Sequence, residues 1–102
     1  MGSNQTNKIH IEVDPELRSL LPKYLENRKK DLDNLRTAHK ESDFEFIRKT
    51  SHTIKGHGSS YGFIRLTEIC ILIERAAQKK DAKHIDTLLK EYDEYVNNIE
   101  LT

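Results

Sequence analysis

Residues 42–63 read SDFEFIRKTSHTIKGHGSSYGF, and this stretch decides what kind of fold the chain can form. Its apolar and small residues recur every three or four positions, which is the spacing of one face of an α-helix. That face comprises Phe44, Ile47, Ser51, Ile54, Gly58 and Tyr61. Ser42 and Glu45 have the spacing of a capping box, and Gly62 is placed to end the helix as a left-handed cap. The stretch therefore predicts one amphipathic helix.

The same helical spacing recurs on both sides of this stretch. Asp14 followed by Pro15 marks the start of a short helix that ends near Leu21, where a longer helix begins. Apolar stripes predict one long helix before the quoted stretch and two after it, with Asp81 as the N-cap of the last. No segment shows a sustained period-two alternation, so we expect no sheet.

These elements predict an all-α fold. Four long amphipathic helices with short connections should form an antiparallel up-down-up-down four-helix bundle, with the short additional N-terminal helix over one end. Residues 9–102 would form this domain, and residues 1–8 a disordered N-terminal tail. A chain of 102 residues has room for one modest core and no second domain.

Charge and composition exclude several classes of function. Seventeen basic and seventeen acidic side chains cancel, so no net field attracts nucleic acid or an anionic membrane. No apolar run reaches the ~18 to 20 residues that span a bilayer. The single cysteine, Cys70, lies among apolar residues and cannot form an internal disulfide, which fits a reducing cytoplasm. We therefore expect a cytoplasmic protein that binds neither nucleic acid nor membranes, and we expect it to be a monomer.

His52 lies away from the inner face of the central helix. A step of about 100° per residue turns it toward solvent and places Arg48 and Gly56 on the same face, one turn before and after it. Lys49 and Lys55 lie three residues to either side. An exposed imidazole is mostly uncharged at neutral pH, so a ring nitrogen can attack a phosphoryl group. Basic side chains would offset the phosphoryl charge, and a glycine would let a partner's active site approach closely.

From spacing alone, His52 could also be an ordinary solvated histidine beside surface lysines. However, H-x-x-K-G at His52, Lys55 and Gly56, with Gly62 ten residues after the histidine, resembles the signature of histidine-containing phosphotransfer (HPt) domains. The order of helices and motifs is similar over residues 14–101, nearly the whole chain. The resemblance implies a four-helix bundle that carries the histidine on its second long helix.

The resemblance also implies a role for each matching residue. His52 would be the phosphoacceptor, and Lys55 would stabilise the phosphoryl charge. Gly56 would admit the partner, and Gly62 would hold the turn into the third helix. Members of the family take a phosphoryl group from the aspartate of one response-regulator receiver domain and pass it to that of another. They are carriers without a catalytic domain, and they need no cofactor because the magnesium belongs to the receiver.

On this interpretation the partners are receiver domains, with a hybrid sensor histidine kinase as a further expected partner. The residues predicted to contact a receiver are Arg48, Lys49, Gly56 and Ser59. The charged segment at residues 26–33 is expected to be a solvated face. The alternative is that its basic centre, residues 28–30, helps to dock a receiver domain beside the His52 helix. The chain lacks a nucleotide-binding motif such as G-x-x-x-x-G-K-[ST], which agrees with a carrier that depends on its partners.

Two other residues of the stretch have structural interpretations. Gly58 falls on the packing face, where it costs about 1 kcal/mol of helix propensity relative to alanine and would permit close helix approach. His57 lies on the inner side, so we expect it to be partly buried and hydrogen-bonded to a neighbouring helix, with a second phosphorylation site as the alternative. His52 and His57 do not have the i, i+4 spacing of paired metal ligands, so no metal site is expected.

The leading prediction of function is a phosphoryl carrier in a two-component phosphorelay. One alternative is a bundle of the same fold that only binds, as a phosphorylation-independent receiver-binding adaptor. The other is the excised phosphoacceptor domain of a chemotaxis-type kinase, whose kinase parts would lie outside these 102 residues. Intact His52, Lys55 and Gly56 favour the carrier over the adaptor.

Overall fold

The computed structural model describes residues 8–101, so the tail predicted at residues 1–8 lies outside the described residues except for Lys8. Four α-helices make up most of the fold: α1 Leu21–Lys40, α2 Phe44–His57, α3 Ile64–Gln78 and α4 Ala82–Asn97. The remaining elements are two 3-10 helices and two short strands: Pro15–Leu20, Gly58–Tyr61, β1 Ile9–His10 and β2 Ile99–Glu100. The helical content confirms the all-α prediction.

The four helices enclose one core. Each consecutive pair of helices packs together, and α1 also packs against α4, so the helices form a closed ring. Fully buried side chains come from all four helices, and they include Leu35, Ile47, Ile54, Leu66, Ile69, Ile73, Ile85, Leu88, Tyr92 and Val96. Cys70 is also fully buried, as predicted, and burial raises the pKa of its thiol to about 12. The thiol therefore stays protonated and acts as a core residue.

The capping box predicted at the start of α2 is wrong. Asp43 rather than Ser42 is the N-cap, because its carboxylate accepts a hydrogen bond of 3.1 Å from the backbone N–H of Phe46. Ser42 instead takes a left-handed conformation with a φ of 57° in the short connection after α1. The sequence offers two adjacent residues that can cap a helix, and the geometry of the connection selects the second.

The end of α2 follows the prediction in part. α2 ends at His57, about one turn earlier than predicted, and Gly58–Tyr61 continues as a 3-10 helix. Gly62 then closes the turn with a φ of 83°, the left-handed cap expected from the sequence. Gly58 is buried, and a Cβ at this position would collide with Oγ1 of Thr67 on α3. Its small size therefore permits the close helix approach that was predicted.

A short parallel ladder joins the two ends of the described chain, where no sheet was predicted. β1 pairs with β2 so that Ile9 lies opposite Ile99. The available signal was the alternation IHIEV at residues 9–13, whose apolar side chains pack against the core while its polar side chains face solvent. This segment, called the N-terminal strap below, is too short for a sustained strand pattern.

The short helix predicted from Asp14 is a 3-10 helix rather than an α-helix. Its N-cap is Asp14, whose carboxylate accepts a hydrogen bond of 3.0 Å from the N–H of Glu16. Pro15 occupies the first position of this helix, where its missing N–H costs nothing. The helix runs directly into α1, because Pro22 lies in the first turn of α1 and is tolerated there.

We expect Gly62→Ala to destabilise the fold by about 1–3 kcal/mol, because the left-handed φ strains any residue with a Cβ. The added Cβ would also lie 2.5 Å from the backbone oxygen of Glu12 in the N-terminal strap. Urea unfolding followed by circular dichroism measures the loss. Gly56→Ala is the matched control: a Cβ there meets nothing within 4 Å, so this helical position should gain stability. Equal midpoints for the two variants would contradict the prediction.

Candidate functional site

His52 lies in the middle of α2 on the face that turns away from the core. Its neighbours Ser51 and Ile54 are buried, whereas the His52 side chain is 61% exposed, as the helical spacing predicts. The buried neighbours fix the backbone of α2 against the other helices. The imidazole therefore projects into solvent from a rigid element.

Glu74 on α3 holds one nitrogen of this imidazole. Nδ1 of His52 lies 2.9 Å from Oε2 of Glu74. An ionised carboxylate can only accept hydrogen bonds, so Nδ1 must carry the proton of the neutral ring. The lone pair is then on Nε2, which has no hydrogen-bond partner within residues 8–101. We therefore assign the tautomer that presents Nε2 as a nucleophile.

Lys55 binds the other oxygen of the same carboxylate. Its Nζ lies 2.8 Å from Oε1 of Glu74. The hydrogen bond from Lys55, and after it the one from His52, lowers the pKa of Glu74 although the side chain is only 12% exposed. Glu74 therefore stays charged at neutral pH and bridges the histidine and the lysine.

Arg48 and Lys49 form their ion pairs away from the carboxylate that contacts the imidazole. Both pair with Glu45 in the first turn of α2, Arg48 through its Nη2 at 2.7 Å and Lys49 through its Nζ at 3.8 Å. Side chains on a helix lean toward its N-terminus, so cations before the histidine reach away from it. Lys55, which follows the histidine, leans toward it for the same reason. A receiver contact at Arg48 and Lys49 stays a prediction.

The helix face after His52 is open. A Cβ added to Gly56 would have nothing within 4 Å. Ser59, in the second 3-10 helix, is exposed, and its hydroxyl lies 3.4 Å from Oγ1 of Thr67. No bulky side chain of α2 therefore stands beside the ring on this side. The roles predicted for Gly56 and Ser59 at a receiver interface stay predictions.

The second histidine of the motif has a different environment. Nδ1 of His57 lies 2.7 Å from the hydroxyl of Tyr24 on α1, which confirms the predicted bond to a neighbouring helix. Burial raises the pKa of Tyr24, so the hydroxyl keeps its proton, and we assign it as the donor to Nδ1. The hydrogen of the neutral His57 ring is then on Nε2, and that nitrogen is not a nucleophile. The two histidines therefore have opposite tautomers.

The prediction that residues 26–33 form a solvated face is wrong at Arg28. Its side chain is only 13% exposed, and its guanidinium carbon lies 4.4 Å from the centre of the Tyr24 ring. Asp31 binds its Nε at 2.8 Å. Arg28 thus covers the ring of Tyr24, which binds His57, and the apolar part of its side chain packs while its charge is paired.

We expect the free energy of unfolding to fall more steeply below neutral pH in the native chain than in His57→Gln. Partial burial, followed by the charge of Arg28, lowers the pKa of His57. Above the unfolded-state value of about 6.5 both states are neutral, so the stabilisation is complete. It is lost as the pH falls through the lower folded value, because the unfolded chain binds the proton first. Urea titrations between about pH 7.5 and 5 measure this, and parallel curves would contradict it.

Sequence reasoning missed Glu74. Glu74 is a carboxylate on the apolar face of α3, one turn after Cys70 and next to Ile73. A charged residue that interrupts an apolar face was the signal available in the sequence. A charged residue on a packing face needs a partner. Which cation or imidazole partners it depends on how α2 and α3 pack, and the helical spacing of one sequence does not specify that.

Residues 8–101 contain no group of three or more histidine, cysteine, aspartate or glutamate side chains that could hold a metal ion. Within the same residues, none of the helices has the length and apolar character needed to cross a membrane.

The chain was also compared with known proteins. A family model described as the Hpt domain matches residues 19–100, which is nearly the whole chain and includes all four α-helices. Comparison with curated proteins and with solved structures gave no match. Hpt domains are phosphocarrier modules of two-component phosphorelays rather than catalytic domains. The extent of the match shows that the chain belongs to the Hpt domain family.

Proposed function

We propose that His52 takes a phosphoryl group from the aspartate of one response-regulator receiver domain and passes it to the aspartate of another. The observation that carries this proposal is the Glu74 carboxylate, which binds Nδ1 of His52 and Nζ of Lys55 at the same time. This arrangement leaves Nε2 as the nucleophile and holds a cation on the same carboxylate that contacts the imidazole.

In the forward step, Nε2 of His52 attacks the phosphorus of an aspartyl phosphate. A nitrogen–phosphorus bond forms as the bond from phosphorus to the aspartate oxygen breaks, and its electron pair leaves with the aspartate carboxylate. The imidazole gains positive charge, which the Glu74 carboxylate on Nδ1 offsets without a proton transfer. Transfer to a second receiver reverses these steps.

Lys55 and Gly56 support this reaction in different ways. The ammonium of Lys55 can move between Glu74 and the phosphoryl oxygens, because a lysine acts as a point charge on a flexible stem. Gly56 leaves room for the receiver's active site beside the ring. The chain itself needs no cofactor in this scheme, since the magnesium belongs to the receiver.

A second candidate function fits the same charged neighbourhood. The phosphoacceptor domain of a chemotaxis-type kinase pairs its histidine with further charged residues, and His52 has Glu74 within hydrogen-bond distance. In that case the donor is ATP bound by kinase parts elsewhere in a longer chain, and the chemistry at His52 is unchanged. A phosphorylation-independent adaptor has no need of the Glu74–Lys55 bridge.

We also infer that the four helices run up-down-up-down and that the bundle acts as a cytoplasmic monomer. Connections of three residues, 41–43 and 79–81, favour antiparallel neighbours. Side chains from all four helices of one chain form a single buried core. Cys70 is a free, buried thiol, which fits a reducing compartment.

The test is transfer of a labelled phosphoryl group from a purified phosphorylated receiver domain. We expect an acid-labile, base-stable label on this chain that maps to the peptide containing His52. Labelling by a kinase domain with ATP, but by no receiver, would favour the second candidate. Receivers that bind the chain but never label it would favour the adaptor.

A further inference from the structure

Glu45 lies in the first turn of α2, two turns before His52 and on the same face. Its carboxylate binds Arg48 through both oxygens, at 3.1 Å from Nε and 2.7 Å from Nη2. It also lies 3.8 Å from Nζ of Lys49. The two cations that precede His52 on α2 are thus both paired with Glu45.

The ion-paired residues of α2, together with Glu74 on α3, carry slightly more positive than negative charge. Three cations stand against two carboxylates, namely Arg48, Lys49 and Lys55 against Glu45 and Glu74. The net charge is therefore one positive unit when the imidazole is neutral, and it would be two without Glu45. The group that reacts here is an anion before and after transfer, because a phosphoryl group carries about −1.5 to −2 charges at neutral pH.

We propose that Glu45 is a positioning residue that neutralises Arg48 and Lys49 and so limits how tightly a phosphorylated receiver, which is an anion, binds to the His52 face of α2. The inference rests on the proposed function. A carrier must release each receiver after transfer, and two unpaired cations would hold the phosphorylated partner longer.

Glu45→Gln removes the charge and keeps the size of the side chain. We expect the receiver concentration that gives half-maximal transfer to fall about two- to fivefold at low salt, which corresponds to one exposed ion pair. The maximal rate at saturating receiver should not change. The gain should disappear at about 0.5 M salt, because exposed charges are then screened. Glu45→Asp should restore native behaviour, and adding Arg48→Gln to Glu45→Gln should remove most of the gain.

Asp86→Asn is the matched control. Asp86 pairs with Lys90 at 3.3 Å on α4, so its loss also frees one lysine and changes the net charge by the same unit. In the ring of helices α4 is adjacent to α1 and α3 rather than to α2. An equal fall in the half-maximal concentration for Asp86→Asn would overturn the proposal. So would an unchanged concentration for Glu45→Gln, or an effect confined to the maximal rate.

Different results would contradict phosphoryl transfer at His52 and the role of Glu45. If native chain takes no label at His52 from any receiver, the proposed function fails. If the native chain is labelled at His52 and Glu45→Gln behaves like Asp86→Asn, the role of Glu45 fails and the function stands.

Discussion

His52→Gln should abolish the transfer of phosphoryl label to this chain, whereas His57→Gln should leave it intact. The two histidines are five residues apart on α2, but their Nδ1 atoms have opposite partners. Nδ1 of His52 faces the Glu74 carboxylate, an acceptor, and Nδ1 of His57 faces the Tyr24 hydroxyl, a donor. His52 therefore presents a lone pair on Nε2, and His57 presents a hydrogen there.

The measurement is the label retained after incubation with a phosphorylated receiver and separation at alkaline pH. We expect a loss of at least about 100-fold for His52→Gln, because the substitution removes the imidazole that carries Nε2. Both variants should stay folded by circular dichroism, since His52 is exposed and a glutamine at position 57 can still accept the Tyr24 hydrogen bond. Label that survives in His52→Gln and disappears in His57→Gln would contradict the tautomer assignment.

The helices of this fold could be predicted because their signals are local. Apolar spacing placed the long helices, and Gly62 marked the turn into α3 because a left-handed φ favours glycine. The choice of Asp43 over Ser42 as N-cap depends on the path of the connection from α1. The strand in the N-terminal strap was not predicted, because Ile9–His10 becomes a strand only by pairing with β2. The two paired segments lie about 90 positions apart in the chain.

The candidate site could be predicted only in part. Helical spacing placed His52 in solvent with Lys55 and Gly56 near it, and the resemblance assigned a role to each of the three. Two features that helical spacing does not show determine which partner each charged side chain binds. One is the lean of helical side chains, which sends Arg48 to Glu45 rather than to the histidine. The other is the packing of α3 on α2, which brings Glu74 to the imidazole.

Glu74→Gln should slow phosphoryl transfer to His52 by about 10- to 100-fold and leave the bundle folded. Lys55 can only donate, so it would hold the carboxamide oxygen and leave the carboxamide N–H facing Nδ1. That N–H favours the tautomer with hydrogen on Nε2, which removes the nucleophile. The substitution also leaves no negative charge to offset the imidazole in the transition state. Losing the partner that orients a reactive histidine commonly has effects of this size or larger.

Single-turnover transfer at saturating receiver separates this loss from weaker binding. Glu68→Gln is the matched control, because it removes the same charge from the same helix. Glu68 pairs with Arg65 at 3.1 Å. Nitrogen chemical shifts of the His52 ring provide a second readout, since a role limited to stability would not move them. We expect the protonated nitrogen to change from Nδ1 to Nε2 in Glu74→Gln and not in Glu68→Gln. Equal transfer rates in the two variants, or an unchanged tautomer, would show that Glu74 does not prepare the nucleophile.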